Sequence, residues 1–266
     1  MPVDPAVLDP DLDNEAPAKR WWGRPAAEMR WSAEFLRLMA DPMYVRGGTP
    51  RGDGRAVVLI PGFAGGDWSL AHLAFWLHRT GYKAYTCNFM FNAYCAERAL
   101  AKIERRIEHA AQESGRRVAL VGHSRGGYLA RAAGARNPDK VSHVVAMGSG
   151  LAAQLEVAAP ALAAVALVRG VHARTSDRVE RRGCMTEDCR CAFTDGYRSP
   201  FPPDVALTSI YSKGDGLVRW WSCMVPDADN VEVTGSHVGM AWNRKSYAAI
   251  AGALAQPERL RLAAAA

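Results

Sequence analysis

A serine stands at the centre of Gly122-His123-Ser124-Arg125-Gly126-Gly127. The apolar run Val118-Ala119-Leu120-Val121 precedes it, and an alanine-rich stretch from Arg125 to Ala135 follows. A strand that turns sharply into a helix at this point lifts the serine hydroxyl above a sheet. Side chains at positions 122 and 126 would collide across so tight a turn, which accounts for the glycines. The helix N-terminus behind the turn offers unsatisfied N–H groups and partial positive charge. Without that context the segment would be a glycine-rich turn with an incidental serine. With it, Ser124 is a candidate nucleophile.

A serine nucleophile needs a base and an orienting carboxylate. On strand-turn-helix frameworks they follow in the order serine, acid, histidine. Of the seven histidines, His72, His78, His109 and His123 precede Ser124, His143 lies at the start of a strand-like run, and His172 lies in the long excursion before the next strand-like run. His237, in Thr234-Gly235-Ser236-His237-Val238-Gly239, follows the last strand-like run and is the expected base. Between Ser124 and His237 the acids include Asp139, Asp177, Asp188, Asp195, Asp204, Asp215, Asp227 and Asp229. Asp215 is preferred. It sits in Ser212-Lys213-Gly214-Asp215-Gly216, directly after Ala206 to Tyr211, where its flanking glycines suit a tight turn. Asp195 and Asp204 are the next choices.

Charge developing on a carbonyl oxygen needs two backbone donors. Arg125, the residue after the nucleophile, is expected to give one N–H. Phe63, in Pro61-Gly62-Phe63-Ala64-Gly65-Gly66, is expected to give the other. This loop lacks the Gly-Lys-Ser/Thr ending of a phosphate-binding loop and the Gly-x-Gly-x-x-Gly spacing, which disfavours a nucleotide.

These residues require a framework that brings distant loops to one edge. Ala56 to Ile60 is a continuous apolar run, as expected of a strand buried on both faces. Strand-like runs follow at Tyr82–Asn88, Val118–Val121, Val141–Met147, Val205–Tyr211 and Val231–Val233. Helical patterns lie at Ala27–Met39, Ser69–Arg79, Ala96–Glu113, Arg125–Ala135 and Trp242–Leu260. The alternation predicts an α/β protein with a doubly wound, mostly parallel sheet of about six strands. Ligands bind at the carboxyl edge of such sheets. Residues 1–24 read as a poorly ordered lead-in to a single domain spanning 25–266. Residues 149–203 interrupt the alternation and read as a cap or lid insertion.

The chain has 266 residues, of which 49% are hydrophobic and 23% charged. That fits one globular domain and excludes collagen-like, coiled-coil or wholly disordered classes. No run of 18 apolar residues is present, so a transmembrane helix is not expected. The net charge of +6 is dispersed rather than concentrated among aromatics, which argues against nucleic acid. Met1 to Pro17 lacks the basic and apolar regions of a secretory signal, so a cytoplasmic location is expected. Cys184, Cys189 and Cys191 crowd into eight residues, with Cys223 further on. Zinc, a disulfide staple and free thiols all remain open, although the Cys-x2-Cys pairs of structural zinc sites are missing. Arg51-Gly52-Asp53 reads as a chance match in a solvated loop.

Taken together, Ile60 to Gly66, Gly122 to Gly127, Lys213-Gly214-Asp215-Gly216 and Gly235-Ser236-His237 resemble the serine α/β-hydrolase superfamily, especially its bacterial esterase- and lipase-like members. The resemblance covers about residues 55–256. It implies a Ser124–Asp215–His237 triad, an oxyanion hole from Phe63 and Arg125, no metal or organic cofactor, and hydrolysis of small-molecule or lipid esters with apolar acyl groups. Two features depart from many members. Pro61-Gly62 replaces His-Gly before the oxyanion residue, and residues 27–40 look helical where extra strands would be. Amidase, thioesterase and polyester hydrolase chemistry would use the same triad. A non-catalytic binding protein of this fold would be expected to have lost a member of it. The Leu, Val and Ala content of the insertion suggests an apolar acyl site, and Trp21-Trp22 and Trp220-Trp221 are candidates to face substrate or lipid.

Overall fold

The computed structural model describes residues 21–93, 95–175 and 191–258. Among the described residues, three short helices lie ahead of the sheet, α1 (Pro25–Glu28), α2 (Trp31–Met39) and α3 (Pro42–Arg46). Then come β1 (Ala56–Ile60), α4 (Ala71–Arg79), β2 (Lys83–Thr86), α5 (Ala96–Ser114), β3 (Val118–His123), α6 (Arg125–Arg136) and β4 (Val141–Met147). The second half holds α7 (Ala159–Thr175), α8 (Ala192–Arg198), β5 (Ala206–Tyr211), β6 (Asp229–Glu232) and α9 (Arg244–Ala255). The six strands among the described residues are all parallel, in the order β2-β1-β3-β4-β5-β6.

This order follows from burial. Every residue of β1, β3, β4 and β5 is buried, as strands covered on both faces by helices must be. Along β1, Ala56, Val58 and Ile60 point into a core with Leu100, Ile103 and Ile107 of α5 and Leu129 of α6. Val57 and Leu59 point the other way, toward Leu73, Trp76 and Leu77 of α4 and Tyr247 and Ile250 of α9. One strand thus serves two cores through its two-residue side-chain period. The chain reverses its direction of travel across the sheet between β1 and β3. The loops after these two strands diverge there and leave a crevice at the carboxyl edge.

Local differences from the sequence expectation have physical causes. The helix expected over 27–39 is split at Met29-Arg30, where two three-residue turns tighten the backbone and Arg30 Nε donates to the Ala27 carbonyl at 3.1 Å. The second strand stops at Thr86, and Asn88 two residues on has φ of +58°, which takes it out of the ladder. Val238–Trp242 forms a 3₁₀ turn instead of starting the last helix. Asn243 then caps α9, its side chain accepting from Lys245 N at 2.8 Å. The helix ends at Ala255, two residues before Pro257. The excursion between β4 and β5 does not behave as one unit. Phe193 of α8 belongs to the core on the α5–α6 face, whereas α7 stands at the carboxyl edge. No helix among the described residues is long and apolar enough to cross a membrane.

Cys223 is a buried free thiol. Cys184 and Cys189 lie outside the described residues, as do Met1 to Pro17, Asp177 and Asp188. Trp21 is held where Arg219 stacks over its ring at 5.1 Å and its carbonyl accepts from Ala159 N.

The helix α6 is drawn against the strands by missing side chains. A methyl at Gly126 would overlap the Ile60 carbonyl oxygen, and one at Gly122 would overlap Gly126. Gly252, on α9, has open space where a methyl would go. Gly126→Ala is therefore expected to destabilise the fold by about 1–3 kcal/mol. Gly252→Ala should stabilise it by about 0.5–1 kcal/mol. Urea unfolding midpoints of the two variants check both signs.

Candidate active site

Ser124 lies in the turn between β3 and α6, with φ of +52° and ψ of −122°. A non-glycine residue at positive φ carries roughly 1–3 kcal/mol of strain and persists only where its surroundings fix it. Here the Ser124 N–H donates to the Met147 carbonyl at 2.7 Å, and the Ser124 carbonyl accepts from Gly127 N at 2.9 Å. The serine is thereby tied to β4 on one side and to its own helix on the other.

His237 and Asp215 meet as a buried pair. His237 Nδ1 lies 2.7 Å from Asp215 Oδ2. The other carboxylate oxygen, Oδ1, accepts from Leu217 N at 2.8 Å and Val218 N at 2.7 Å, which fixes its plane. A carboxylate facing Nδ1 favours the tautomer with the proton on Nδ1, leaving Nε2 as the basic nitrogen. Burial alone would push the His237 pKa down. The charge of Asp215, its hydrogen bond and the charge of Glu28 outweigh that, and the net shift is upward.

Ser124, His237, Phe63 and Arg125 all border one cavity of about 390 Å³ at the carboxyl edge. Its other walls are mostly apolar, including Leu155, Val157, Ala161 and Val165 from the β4–β5 excursion and Phe193 and Tyr128 below. The loop carrying Phe63 is locked by a residue that no sequence motif marks. Asn92, fully buried, donates from Nδ2 to the Pro61 carbonyl at 2.7 Å. Its backbone N–H donates to Gly65 O at 2.7 Å, and its carbonyl accepts from Ala64 N and from the Arg125 guanidinium, both at 3.2 Å.

The remaining candidates are elsewhere. Asp204 pairs with Arg117 at 3.7 Å, Asp139 lies 3.9 Å from Lys140, and Asp229 accepts from Gln256. His109 sits on the surface beside Glu113, and His143 bonds Ser142. Trp220 stacks on Tyr211 and under Lys213, and neither Trp220 nor Trp221 borders the cavity. The aromatics that do border it are Phe63, Trp68, Tyr128, Phe193 and Trp242.

Three further residues shape the histidine turn. His123 Nε2 lies 2.9 Å from the His237 carbonyl; a carbonyl only accepts, so this nitrogen carries the hydrogen. Burial, with help from His237, pushes the His123 pKa down to about 4, so it stays neutral at ordinary pH. Glu28 accepts from three backbone N–H groups, Gly216 at 2.8 Å, His237 at 3.0 Å and Val238 at 2.9 Å. Glu34 accepts from Ser236 N and Ser236 Oγ, both at 3.0 Å. His123 was visible next to the serine. Nothing in the pattern around Glu28 or Glu34 marks them, because their partners lie about 190 to 210 residues away.

Comparison with known proteins agrees with the topology. A family model described as the α/β hydrolase fold matches residues 55–172. No curated protein sequence matches the chain. Among solved structures, a Bacillus licheniformis lipase is 14% identical with a TM-score of 0.54, covering 78% of this chain and 94% of its own. A monoacylglycerol lipase from Paleococcus ferrophilus is 19% identical with a TM-score of 0.51, covering 78% and 95%. The thioesterase domain of a curacin biosynthetic pathway is 16% identical with a TM-score of 0.50, covering 78% and 93%. At such identities the likeness is one of fold. With a parallel six-stranded sheet among the described residues and the family match over residues 55–172, the chain has the α/β-hydrolase fold.

Proposed function

We propose that the protein is a serine-dependent carboxylic-ester hydrolase acting on esters with apolar acyl groups. The observation that carries this reading is that His237, paired with Asp215 at 2.7 Å, borders the same cavity as the strained Ser124. In this mechanism His237 Nε2 takes the Ser124 proton as the hydroxyl oxygen attacks the ester carbonyl. The N–H groups of Phe63 and Arg125 receive the oxyanion. The protonated His237 gives its proton to the leaving alkoxide as the C–O bond breaks. Water, deprotonated by His237, then attacks the acyl carbon, and His237 returns the proton to Ser124 Oγ as the acyl C–Oγ bond breaks and the acid leaves. Asp215 holds the imidazole tautomer and stabilises the imidazolium.

The apolar walls set the acyl preference, and α7 acts as the cap over the acyl group through Ala161 and Val165. A narrower cavity should then take shorter chains. Val165→Trp is expected to move the optimum of a p-nitrophenyl ester series, acetate to palmitate, toward shorter acyl groups.

The same series tests the nucleophile. Ser124→Ala should bring turnover to background, a fall of up to about 10⁶-fold. Asp215→Asn should cost about 10³–10⁴-fold while the protein stays folded. No turnover by folded wild-type protein on any ester of the series would reject the ester reading and turn the search to thioesters and amides.

The pH profile has a defined sign. His237 must be neutral to act as base, and its pKa is raised above the usual 6.5. The rate should therefore fall on acidification with a midpoint above 6.5 and level off on the alkaline side. His123, with its pKa near 4, contributes nothing to that limb. A limb centred well below 6.5 in kcat/KM would contradict the assignment of His237 as base.

A further inference from the structure

We infer that Glu28 is a positioning residue for the candidate triad, a second carboxylate that clamps the Asp215 turn to the His237 turn. The inference rests on the triad assignment above and adds a residue to it. Glu28 lies outside the matched family region, on the helical segment that precedes the sheet.

The geometry is specific. One oxygen, Oε1, accepts from Gly216 N, adjacent to Asp215, and from His237 N. The other, Oε2, accepts from Val238 N. A single carboxylate therefore bonds the backbone of both turns whose side chains form the 2.7 Å pair. The two residues at the N-terminal end of the Val238–Trp242 turn have no earlier carbonyl to bond, and a carboxylate suits their N–H groups. The same segment holds the acid turn at two more points. Arg24 N donates to Gly216 O at 2.9 Å, and Arg30 Nη2 donates to Gly214 O at 3.2 Å.

The glycines beside the triad residues fit this contact. A methyl at Gly216 would come 2.5 Å from Arg24 O and 2.8 Å from Glu28 Oε1. At Gly214 it would come 2.9 Å from the Arg30 guanidinium, and at Gly239 it would overlap the Glu34 carboxylate. Neither Gly214 nor Gly216 has positive φ. Their small size therefore serves close approach of the preceding segment rather than turn conformation.

The charged and titratable groups facing His237 are Asp215, Glu28 and the neutral His123. Glu28 is the only one of them that the fold brings from ahead of the sheet. Its charge favours the imidazolium that forms when His237 takes the serine proton.

The test is Glu28→Gln, which keeps the size and removes the charge. It is read by the pH profile of ester turnover and by NMR titration of the His237 ring. The expected result is a fall of about tenfold to a hundredfold in kcat with KM little changed. The His237 titration and the acid limb should both move to lower pH. A folded Glu28→Gln protein with the His237 titration unmoved and kcat unchanged would overturn the inference. Should Glu28→Gln fail to fold, Glu28→Asp keeps the charge and shortens the reach. It should lower kcat while leaving the acid limb near its wild-type position, and unchanged kcat there would overturn the inference. Failure of the underlying triad reading shows separately, as wild-type turnover insensitive to Ser124→Ala. The NMR titration reads Glu28 in either case.

Discussion

The closeness of α6 to the strands beneath it is the constraint on which the site depends. Glycines at 122, 126 and 127 let the helix backbone settle onto the Ile60 carbonyl and against Ser149. That approach forces the sharp turn, and the turn forces Ser124 to positive φ. It also brings the β1 loop alongside, so that a methyl at Gly62 would lie 3.2 Å from the Ser124 Cβ. The local cost is of order 1–3 kcal/mol. It is tolerated because β3 and β4 on either side are buried along their whole length and cannot shift to relieve it.

The other half of the site has no such support from the sheet. Asp215 follows the buried β5, but His237 follows β6, a four-residue edge strand with none of its residues buried. An edge strand this short fixes the direction of its loop poorly. The missing rigidity comes from side chains instead. His123 holds the His237 carbonyl from the serine side, and Glu28 and Glu34 hold N–H groups of residues 236–238 from the opposite side. The histidine backbone is gripped by hydrogen bonds at both its carbonyl and its N–H.

What was legible in the sequence follows the same division. The buried strands are continuous apolar runs, and β1 and β4 end where their patterns end. The edge strands β2 and β6 were visible but blurred, since half-exposed residues carry no strict apolar pattern and their ends are set by turn geometry such as Asn88. Ser124, Asp215 and His237 stand out as candidates because each sits in a glycine-marked turn directly after a strand-like run. Asn92, Glu28 and Glu34 could not be. A carboxylate that bonds backbone N–H groups two hundred residues away asks nothing of its own neighbours, so its local sequence is that of any helix surface. The glycines at 214 and 216 suit a tight turn and also carry the trace of the preceding segment, as room left for an incoming chain.

Two carboxylates, Asp215 and Glu28, act on the His237 imidazole, and a third, Glu34, holds the turn beside it. Each is met by neutral donors. Asp215 is met by the N–H groups of Leu217 and Val218, Glu28 by those of Gly216, His237 and Val238, and Glu34 by the N–H and hydroxyl of Ser236. Hydrogen bonds from neutral donors to a charged acceptor are strong in such surroundings and bring no counter-charge. The negative potential at His237 is thus preserved rather than cancelled. Dipoles fixed by the fold do not need to reorganise when a proton arrives. The region is therefore arranged to accept a positive charge on the histidine, the charge that base catalysis by His237 would place there.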